Sequence, residues 1–353
     1  MLERSLRVLI CDDSALVRQF LVHALDGVPG VEVCGRATDG EEAVRLTRLL
    51  RPDVVTMDVE MPNLDGISAV RKIMADTPTP ILMISSLTTE GSRPTIDALG
   101  AGALDFIAKP QNRADLSQIG PLVAEKILQL GERGHLALAS PPPPRAARTV
   151  PAPAPFPAPS FDRVPLVVIG SSTGGPRALF SVVPHLPQGF PARVVIVQHM
   201  PPGFTRSLAE RLHEAGPLPV REAEDGEQLQ PGSVRVAAAG HHLVVDGHTL
   251  RYGETPPEHG VRPALDVTLR TAAETYHGPI VAAVLTGMGR DGALGALEVR
   301  KKGGKVVAES ERTALIYGMP KAVVDIGAAD SVKDLQDVAG EIVRLCEEVA
   351  RAR

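Results

Sequence analysis

The chain has 353 residues, which exceeds what one ordinary hydrophobic core supports and predicts about two domains. Hydrophobic residues make up 44% and charged residues 22%, a composition that is typical of folded globular proteins and excludes disorder as the general state. The net charge of −5 without a basic cluster argues against nucleic acid as a partner, and the lack of a membrane-length apolar run predicts a cytoplasmic protein without membrane insertion.

The first 130 residues alternate strand-like apolar runs with amphipathic helical stretches. Alternation of this kind predicts β-α-β units and a parallel sheet. The predicted strands are 7–11, 31–34, 54–57, 81–84 and 106–108. We therefore expect an α/β domain over residues 1–130.

Charged and hydroxyl side chains follow four of these strands. Asp12 and Asp13 come after the first strand, Asp58 after the third, Ser85 after the fourth and Lys109 after the fifth. The carboxyl ends of parallel strands meet at one edge of the sheet, where three carboxylates repel each other unless a cation joins them. An all-oxygen site that retains waters suits Mg²⁺. The pattern predicts a magnesium site and a carboxylate that can accept a phosphoryl group.

The motifs at these strand ends resemble those of the response-regulator receiver family. They are D-D at Asp12-Asp13, D-x-x-M-P-x-L-D-G from Asp58 to Gly66 and K-P at Lys109-Pro110. The resemblance spans roughly residues 5 to 130 and implies a doubly wound, flavodoxin-like domain.

This resemblance also assigns roles to individual residues. It implies that Asp58 is the phosphoacceptor and that Ser85 and Lys109 contact the phosphoryl oxygens. The implied Mg²⁺ ligands are Asp12, Asp13, Asp58 and a main-chain group near Glu60. Without the resemblance, the fold alone leaves open which aspartate reacts.

A proline-rich stretch, PPPPRAARTVPAPAPFPAP, occupies residues 141–159. Proline removes backbone donors and disfavours both helix and central strand, so the stretch predicts an extended, semi-rigid linker. We place the linker at residues 131–162 and a second domain at residues 163–353.

The second domain is also predicted to be α/β. Its predicted strands are 166–169, 194–197, 234–237, 280–285 and 305–307. Asp246-Gly247 separates two short apolar runs, which indicates a small antiparallel hairpin. We therefore expect a second doubly wound parallel sheet with one hairpin.

A serine lies in a glycine-rich turn after the first of these strands. Small residues at 170–175 allow a sharp turn from strand to helix, and Pro176 suits the first turn of that helix. Such a turn exposes a hydroxyl beside helix N–H groups that stabilise an oxyanion, so Ser172 is the candidate nucleophile. Short glycine-rich strings also cradle nucleotide phosphates, so nucleotide binding stays open as a second interpretation.

A base and an orienting carboxylate follow other strands of the same domain. His199 comes directly after the second predicted strand, and Asp291 lies in the loop after the strand at 280–285. Parallel strands bring these ends to the edge that carries Ser172. The order Ser, His, Asp differs from the Ser, Asp, His order of α/β-hydrolases, which disfavours that family.

Other histidines offer alternatives. A triad in hydrolase order could use Asp246 or Asp266 with His259 or His277, although Asp246 lies in the hairpin turn and His277-Gly278 is typical of a helix end. Three more histidines surround the hairpin without acidic partners at ligand spacing, which is typical of surface residues. They are His241, His242 and His248. No metal or other cofactor is predicted in this domain.

Four motifs of this domain resemble the chemotaxis protein-glutamate methylesterase family, commonly called CheB. They are IGSSTGGP, VQHMPPGFT, LTGMGRDG and YGMPKA. The resemblance spans nearly the whole chain and carries the roles of nucleophile, base and orienter to Ser172, His199 and Asp291. It implies hydrolysis of glutamate 5-O-methyl esters on cytoplasmic chemoreceptor helices through an acyl-enzyme, with methanol as product, and glutamine deamidation.

The same resemblance implies phosphorylation control during chemotaxis adaptation, with a histidine kinase of that pathway as phosphodonor. Ser171 stands where the family often has alanine, so it is a possible false nucleophile. We add the hypothesis that the main-chain N–H groups of Thr173 and Met288 bind the oxyanion. Hydrolysis of another ester or amide stays open, because a fold does not define a substrate.

Overall fold

The structure is a computed structural model that describes residues 5–86, 89–110, 116–139 and 164–351. The chain divides into two compact units, residues 1–141 and residues 142–353. Each unit has its own sheet and its own buried core.

The N-terminal unit is built on a five-stranded parallel sheet. Its strands are β1 (Leu6–Cys11), β2 (Val31–Ala37), β3 (Val54–Asp58), β4 (Ile81–Ser86) and β5 (Asp105–Lys109). Their spatial order is β2-β1-β3-β4-β5. The helices are α1 (Ala15–Leu25), α2 (Gly40–Leu50), α3 (Gly66–Asp76), α4 (Thr89–Ala101) and α5 (Leu116–Ala139). The predicted doubly wound α/β fold is confirmed, and each predicted strand overlaps an observed one.

Polar residues at the strand ends also start the helices. The side chains of Ser14, Asp39 and Asp65 accept hydrogen bonds from the first turns of α1, α2 and α3. These caps satisfy N–H groups that have no partner within the helix. These three side chains therefore help to hold the chain turns at this edge of the sheet.

Helix α5 runs past the expected boundary at residue 130 and continues to Ala139. Leu130 is fully buried, and Gly131 and Gly134 lie so close to Leu6 and Pro80 that an added Cβ would overlap those side chains. Close packing on the sheet therefore keeps the first nine residues of the expected linker helical. The rest of that linker, including the proline-rich stretch, lies outside the described residues.

The C-terminal unit contains a seven-stranded parallel sheet. Its strands are β6 (Leu166–Ser171), β7 (Arg193–Gln198), β8 (Val220–Glu222), β9 (Val234–Val236), β12 (Ile280–Val284), β13 (Lys305–Glu309) and β14 (Ser331–Lys333). The spatial order is β14-β13-β12-β6-β7-β9-β8. The predicted hairpin is present as β10 (His242–Asp246) and β11 (Thr249–Gly253), paired antiparallel. β8 and β14 were not predicted, because each is three residues long and contains a single apolar residue.

Helices cover this sheet. They are α6 (Gly175–Val182), α7 (Phe204–Ala215), α8 (Leu265–Thr275), α9 (Ala293–Lys301), α10 (Met319–Asp325) and α11 (Leu335–Arg351). Every residue of β6, β7 and β12 is buried, which explains why the middle of each strand is a continuous apolar run. Gly170 of β6 pairs with Val284 on one side and Val197 on the other, so the ends of the three central strands lie level. Across the four described ranges, no helix is long and apolar enough to cross a bilayer.

Candidate active site and phosphoacceptor site

The chain turns sharply between β6 and α6, where Ser172 lies. The N–H of Gly175 donates to the Ser172 carbonyl at 2.8 Å, and Gly174 has a φ of +76°, which favours glycine. A Cβ at Gly175 would overlap the side-chain amide of Gln198. The two glycines therefore allow the short turn that the sequence predicted.

The structure separates the two neighbouring serines. Ser171 is fully buried, and its hydroxyl donates to Gln198 Oε1 at 2.6 Å. Ser172 is partly exposed, and in the part of the chain that the structure describes its hydroxyl has no hydrogen-bond partner. Its backbone N–H donates to the Thr286 carbonyl at 2.9 Å, which ties the turn to the loop after β12. Of the two hydroxyls, that of Ser172 is the accessible one.

His199 and Asp291 are brought together at this edge. His199 Nε2 lies 2.8 Å from Asp291 Oδ2, and the His199 side chain is 10% exposed. The backbone N–H of His199 donates to the Ser171 carbonyl at 3.1 Å, which places the histidine beside the serine turn. The described residues contain no hydrogen bond between the Ser172 hydroxyl and His199. The predicted base and orienting carboxylate are therefore paired, and the backbone of His199 is bonded to the serine turn.

Asp291 is held by backbone amides as well as by histidine. Its carboxylate accepts from the N–H groups of Leu265 at 2.6 Å and Asp266 at 2.9 Å, at the start of α8. Burial acts to raise the pKa of Asp291, but the bond from His199 and these two amides more than offset it and hold the pKa below its ordinary value. Asp291 is therefore a buried, charged carboxylate that accepts hydrogen bonds from one side chain and two backbone amides.

The alternative triads are only partly assembled. His259 Nε2 lies 2.8 Å from Asp266 Oδ2, so this pair exists. Asp246 instead pairs with Arg251 in the exposed hairpin turn. His277 lies just before β12, at the edge opposite Ser172, and is exposed.

The predicted surface location is wrong for one of the hairpin histidines. His242 is fully buried; its Nδ1 accepts from Ala264 N–H at 3.2 Å and its Nε2 donates to the Pro256 carbonyl at 3.0 Å. An imidazole with one donor and one acceptor site suits two such backbone groups. His242 therefore joins two turns of the loop that precedes α8.

The two residues proposed for the oxyanion lie on either side of the serine turn. Thr173 is 8% exposed and Met288 is 48% exposed. The Thr286 hydroxyl donates to the Thr173 carbonyl at 2.9 Å, and a Cβ at Gly287 would come within 2.9 Å of Ser172 Cβ. The loops of both residues therefore approach Ser172 closely.

Sequence reasoning missed a buried acid at the end of β13. Glu309 is fully buried and accepts from Thr286 N–H at 2.8 Å and from the Thr313 hydroxyl at 3.0 Å. Burial raises its pKa to about 7, against the opposing effect of these bonds and of the Arg177 charge. The sequence did contain a signal for this acid, because Glu309 is a charged residue directly after an apolar run.

The acidic cluster of the N-terminal unit is bridged by a lysine. Lys109 Nζ lies 2.7 Å from Asp12 Oδ2 and 2.7 Å from Asp58 Oδ2. Burial raises the pKa of Asp58 to about 6; Lys109 and a bond from Val59 N–H oppose that rise, and Asp12 adds to it. Ser85 is buried and its hydroxyl accepts from Thr95 at 2.6 Å.

A cation fits the open side of this cluster. Carboxylate oxygens of Asp12, Asp13 and Asp58 lie within 4.8 Å of one another, and Asp13 and Glu60 are exposed. A set of hard oxygen donors that faces solvent is what Mg²⁺ prefers.

Comparison with known proteins identifies both domains of the chain. The sequence model of the CheB methylesterase family matches residues 167–342, and that of the response regulator receiver domain matches residues 8–119. A Thermotoga maritima protein named protein-glutamate methylesterase/protein-glutamine glutaminase is 44% identical over 352 residues, covering 98% of this chain and 100% of the relative. The chain belongs to the CheB methylesterase family.

Other members of the CheB family are similarly close. A Pseudomonas aeruginosa protein with the name protein-glutamate methylesterase/protein-glutamine glutaminase 1 is 41% identical and covers 97% of this chain and 100% of the relative. The crystal structure of the Thermotoga maritima CheB methylesterase catalytic domain is 46% identical with a TM-score of 0.49, covering 51% of this chain and 97% of that domain. In this chain the receiver match precedes the methylesterase match.

Proposed function

We propose that the C-terminal unit hydrolyses glutamate 5-O-methyl esters on cytoplasmic chemoreceptor helices, releases methanol, and deamidates glutamines. Phosphorylation of Asp58 would regulate this reaction during chemotaxis adaptation. The observation that carries the proposal is the 2.8 Å contact between His199 and Asp291 at the sheet edge of Ser172. The substrate class follows from the names of full-length relatives.

The first step uses the histidine tautomer that Asp291 favours. His199 Nε2 carries the proton and donates to Asp291 Oδ2 at 2.8 Å, which leaves Nδ1 to accept a proton. Ser172 Oγ attacks the ester carbonyl carbon while its proton passes to Nδ1. The buried Asp291 carboxylate stabilises the imidazolium that forms.

The tetrahedral intermediate then loses its leaving group. Its oxyanion would accept from the N–H groups of Thr173 and Met288; one such donor contributes roughly 10²- to 10³-fold in kcat. As the carbon–oxygen bond breaks, the methoxy oxygen takes the proton from His199 Nδ1 and leaves as methanol. An acyl-enzyme on Ser172 remains.

Water completes the reaction. His199 Nδ1 removes a proton from water, the hydroxyl attacks the acyl carbon, and Ser172 Oγ takes the proton back as the acyl bond breaks. The products are a glutamate side chain and the regenerated serine. In deamidation the same steps release ammonia from glutamine instead of methanol.

The receiver would accept a phosphoryl group from a phosphohistidine of the pathway's kinase. The bond from phosphorus to histidine nitrogen breaks, and one to a carboxylate oxygen of Asp58 forms. Asp12, Asp13, Asp58 and a main-chain group near Glu60 would hold Mg²⁺, which neutralises phosphoryl charge when bound. Lys109 and the Ser85 hydroxyl would contact the phosphoryl oxygens.

Methanol release from a methylated chemoreceptor, with and without a small phosphodonor, tests the proposal on the full chain. Ser172→Ala should abolish release, whereas Ser171→Ala should retain most of it, because the Ser171 hydroxyl is buried and donates to Gln198. Asp58→Asn should abolish stimulation by the donor. Methanol release that survives Ser172→Ala would contradict the nucleophile assignment, and a donor effect that survives Asp58→Asn would contradict the phosphoacceptor.

A further inference from the structure

A second imidazole–carboxylate pair lies next to Asp291 and takes no part in the steps above. His259 Nε2 contacts Asp266 Oδ2 at 2.8 Å. The Asp266 side chain is 0% exposed and that of His259 is 26% exposed. His259 therefore connects the protein surface to Asp266, whose backbone N–H contacts Asp291.

The two aspartates cap each other's helices. The carboxylate of Asp291 accepts from Leu265 and Asp266, the first two residues of α8. The carboxylate of Asp266 accepts at 2.6 Å from the N–H of Gly295, in the first turn of α9, which begins two residues after Asp291. Each acid thus satisfies N–H groups that the other helix leaves without an internal partner.

Close packing makes this arrangement rigid. A Cβ at Gly295 would lie 2.5 Å from Leu269 Cβ and 3.1 Å from the Asp266 carbonyl oxygen. The helices α8 and α9 therefore touch near their N-termini without an intervening side chain. A shift of Asp266 must move Gly295, and with it the loop that carries Asp291.

The surroundings of Asp266 disfavour a charge on its carboxyl group. Burial raises the pKa of Asp266, bonds from Gly295 and His259 lower it, and the nearby Asp291 charge raises it again. His259 supplies the opposing hydrogen bond from the surface side. Beyond it, Arg270 binds both oxygens of Glu258, at 2.8 and 2.7 Å.

A metal at this cluster is disfavoured. Glu258, His259 and Asp266 place ligand atoms within 4.8 Å of one another. Both carboxylate oxygens of Glu258 are taken by the Arg270 guanidinium, and both of Asp266 by Gly295 and His259. A cation would have to displace a fixed positive charge and two hydrogen bonds.

We propose that Asp266, held by His259, is a positioning residue for Asp291 in ester hydrolysis. It keeps the Asp291 carboxylate in place for His199 through the α8 amides and the start of α9. Neither residue contacts the substrate in this assignment, so the effect falls on kcat. The inference rests on the proposed function, because Asp291 acts through His199.

His259→Asn separates positioning from stability. His259 has a φ of +54°, a left-handed conformation that asparagine also tolerates well. The backbone of the variant should therefore stay unstrained, and the lost bond to buried Asp266 should lower its unfolding temperature by only a few degrees. Loss of the bond to Asp266 should nevertheless lower kcat for methanol release about tenfold with KM unchanged.

Asp266→Asn tests the other partner, and the double variant tests their connection. The asparagine oxygen can still accept from Gly295, but the charge is lost, so kcat should fall about tenfold or more. The double variant should be no slower than Asp266→Asn alone, because the two residues act through one contact. The downfield NMR resonance of the His199 Nε2 proton should shift in both single variants, whereas a purely structural role would leave it unchanged in the folded fraction.

The Ser172→Ala variant distinguishes failure of the positioning role from failure of the proposed function. If it abolishes methanol release while His259→Asn keeps wild-type kcat and an unshifted proton resonance, the positioning role is wrong and the triad stands. If release survives Ser172→Ala, the proposed function itself fails. Should Asp266→Asn not fold, the same readouts on His259→Asn alone decide the matter.

Discussion

The two sites hold buried aspartates at the same kind of sheet edge but stabilise them differently. Asp58 shares the ammonium of Lys109 with Asp12, at 2.7 Å from each. Asp291 is bound by two backbone amides and an imidazole. Burial acts to raise the pKa of both, yet the pKa of Asp58 is raised to about 6 and that of Asp291 is lowered.

The difference matches the proposed role of each site. A lysine side chain can move, and its charge is available to a new anion when a phosphoryl group arrives. Backbone amides at a helix start have fixed positions, so they hold a carboxylate that must stay charged and stationary while a proton moves nearby. The movable partner thus lies at the acid that is proposed to be phosphorylated, and the fixed partners lie at the acid that is proposed to keep its charge.

Replacing Asp291 should break the fixed site most severely. In Asp291→Asn the amide nitrogen cannot accept from Leu265 or Asp266, and it favours the wrong tautomer of His199. We expect kcat for methanol release to fall by about 10³- to 10⁴-fold. Asp246→Asn, in the exposed hairpin turn, is the matched control and should stay within about twofold. A loss of kcat under tenfold in Asp291→Asn would show that a carboxylate held by these amides contributes little to the reaction rate.

Glu309 extends the comparison, because it is a buried acid that, among the described residues, accepts a hydrogen bond from one backbone amide. Its pKa is raised to about 7 from an ordinary 4.5, with burial as the main cause. Between pH 4.5 and 7 the folded protein keeps a proton that the unfolded chain has lost, so the free energy of unfolding falls as pH rises. The total fall is about 3 kcal/mol and levels off above pH 7.

Glu309→Gln should remove this fall, since glutamine is neutral and can bond Thr286 and Thr313 in the same place. Urea unfolding from pH 4.5 to 8 measures it: the variant should gain stability over the wild type as pH rises. Glu224→Gln, an exposed acid of the same unit, provides a control with no such trend. A constant difference between Glu309→Gln and wild type across this range would contradict the assignment.

Lys109→Ala should give the smallest effect. It leaves Asp12 and Asp58 without their charged hydrogen-bond donor and should lower the stability of the receiver by about 2 kcal/mol without Mg²⁺. Mg²⁺ should restore part of this loss, because the cation replaces the missing charge. Arg48→Ala removes the exposed pair with Asp76 and should cost under about 1 kcal/mol, with no response to Mg²⁺. Equal Mg²⁺ stabilisation of Lys109→Ala and wild type would argue against the site.

Much of each site could be predicted because parallel strands end at one edge. Asp58, His199 and Asp291 were each identified from their place after an apolar strand, and the structure brings the last two into contact. Ser172 was preferred to Ser171 from the sequence, and the structure adds the reason that the Ser171 hydroxyl is taken by Gln198. His242 was misplaced because its partners are backbone groups of a distant loop.

The sequence by itself determined the two α/β units, the chemistry at the ends of their strands and the family, since strand periodicity and strand-end residues are local properties. Only the tertiary structure decided that Asp266 and Asp291 cap each other's helices and that Glu309 is fully buried. Those contacts join residues that are far apart in the chain, and their charge depends on burial and on backbone amides. Neither of these is visible in a residue's identity or spacing.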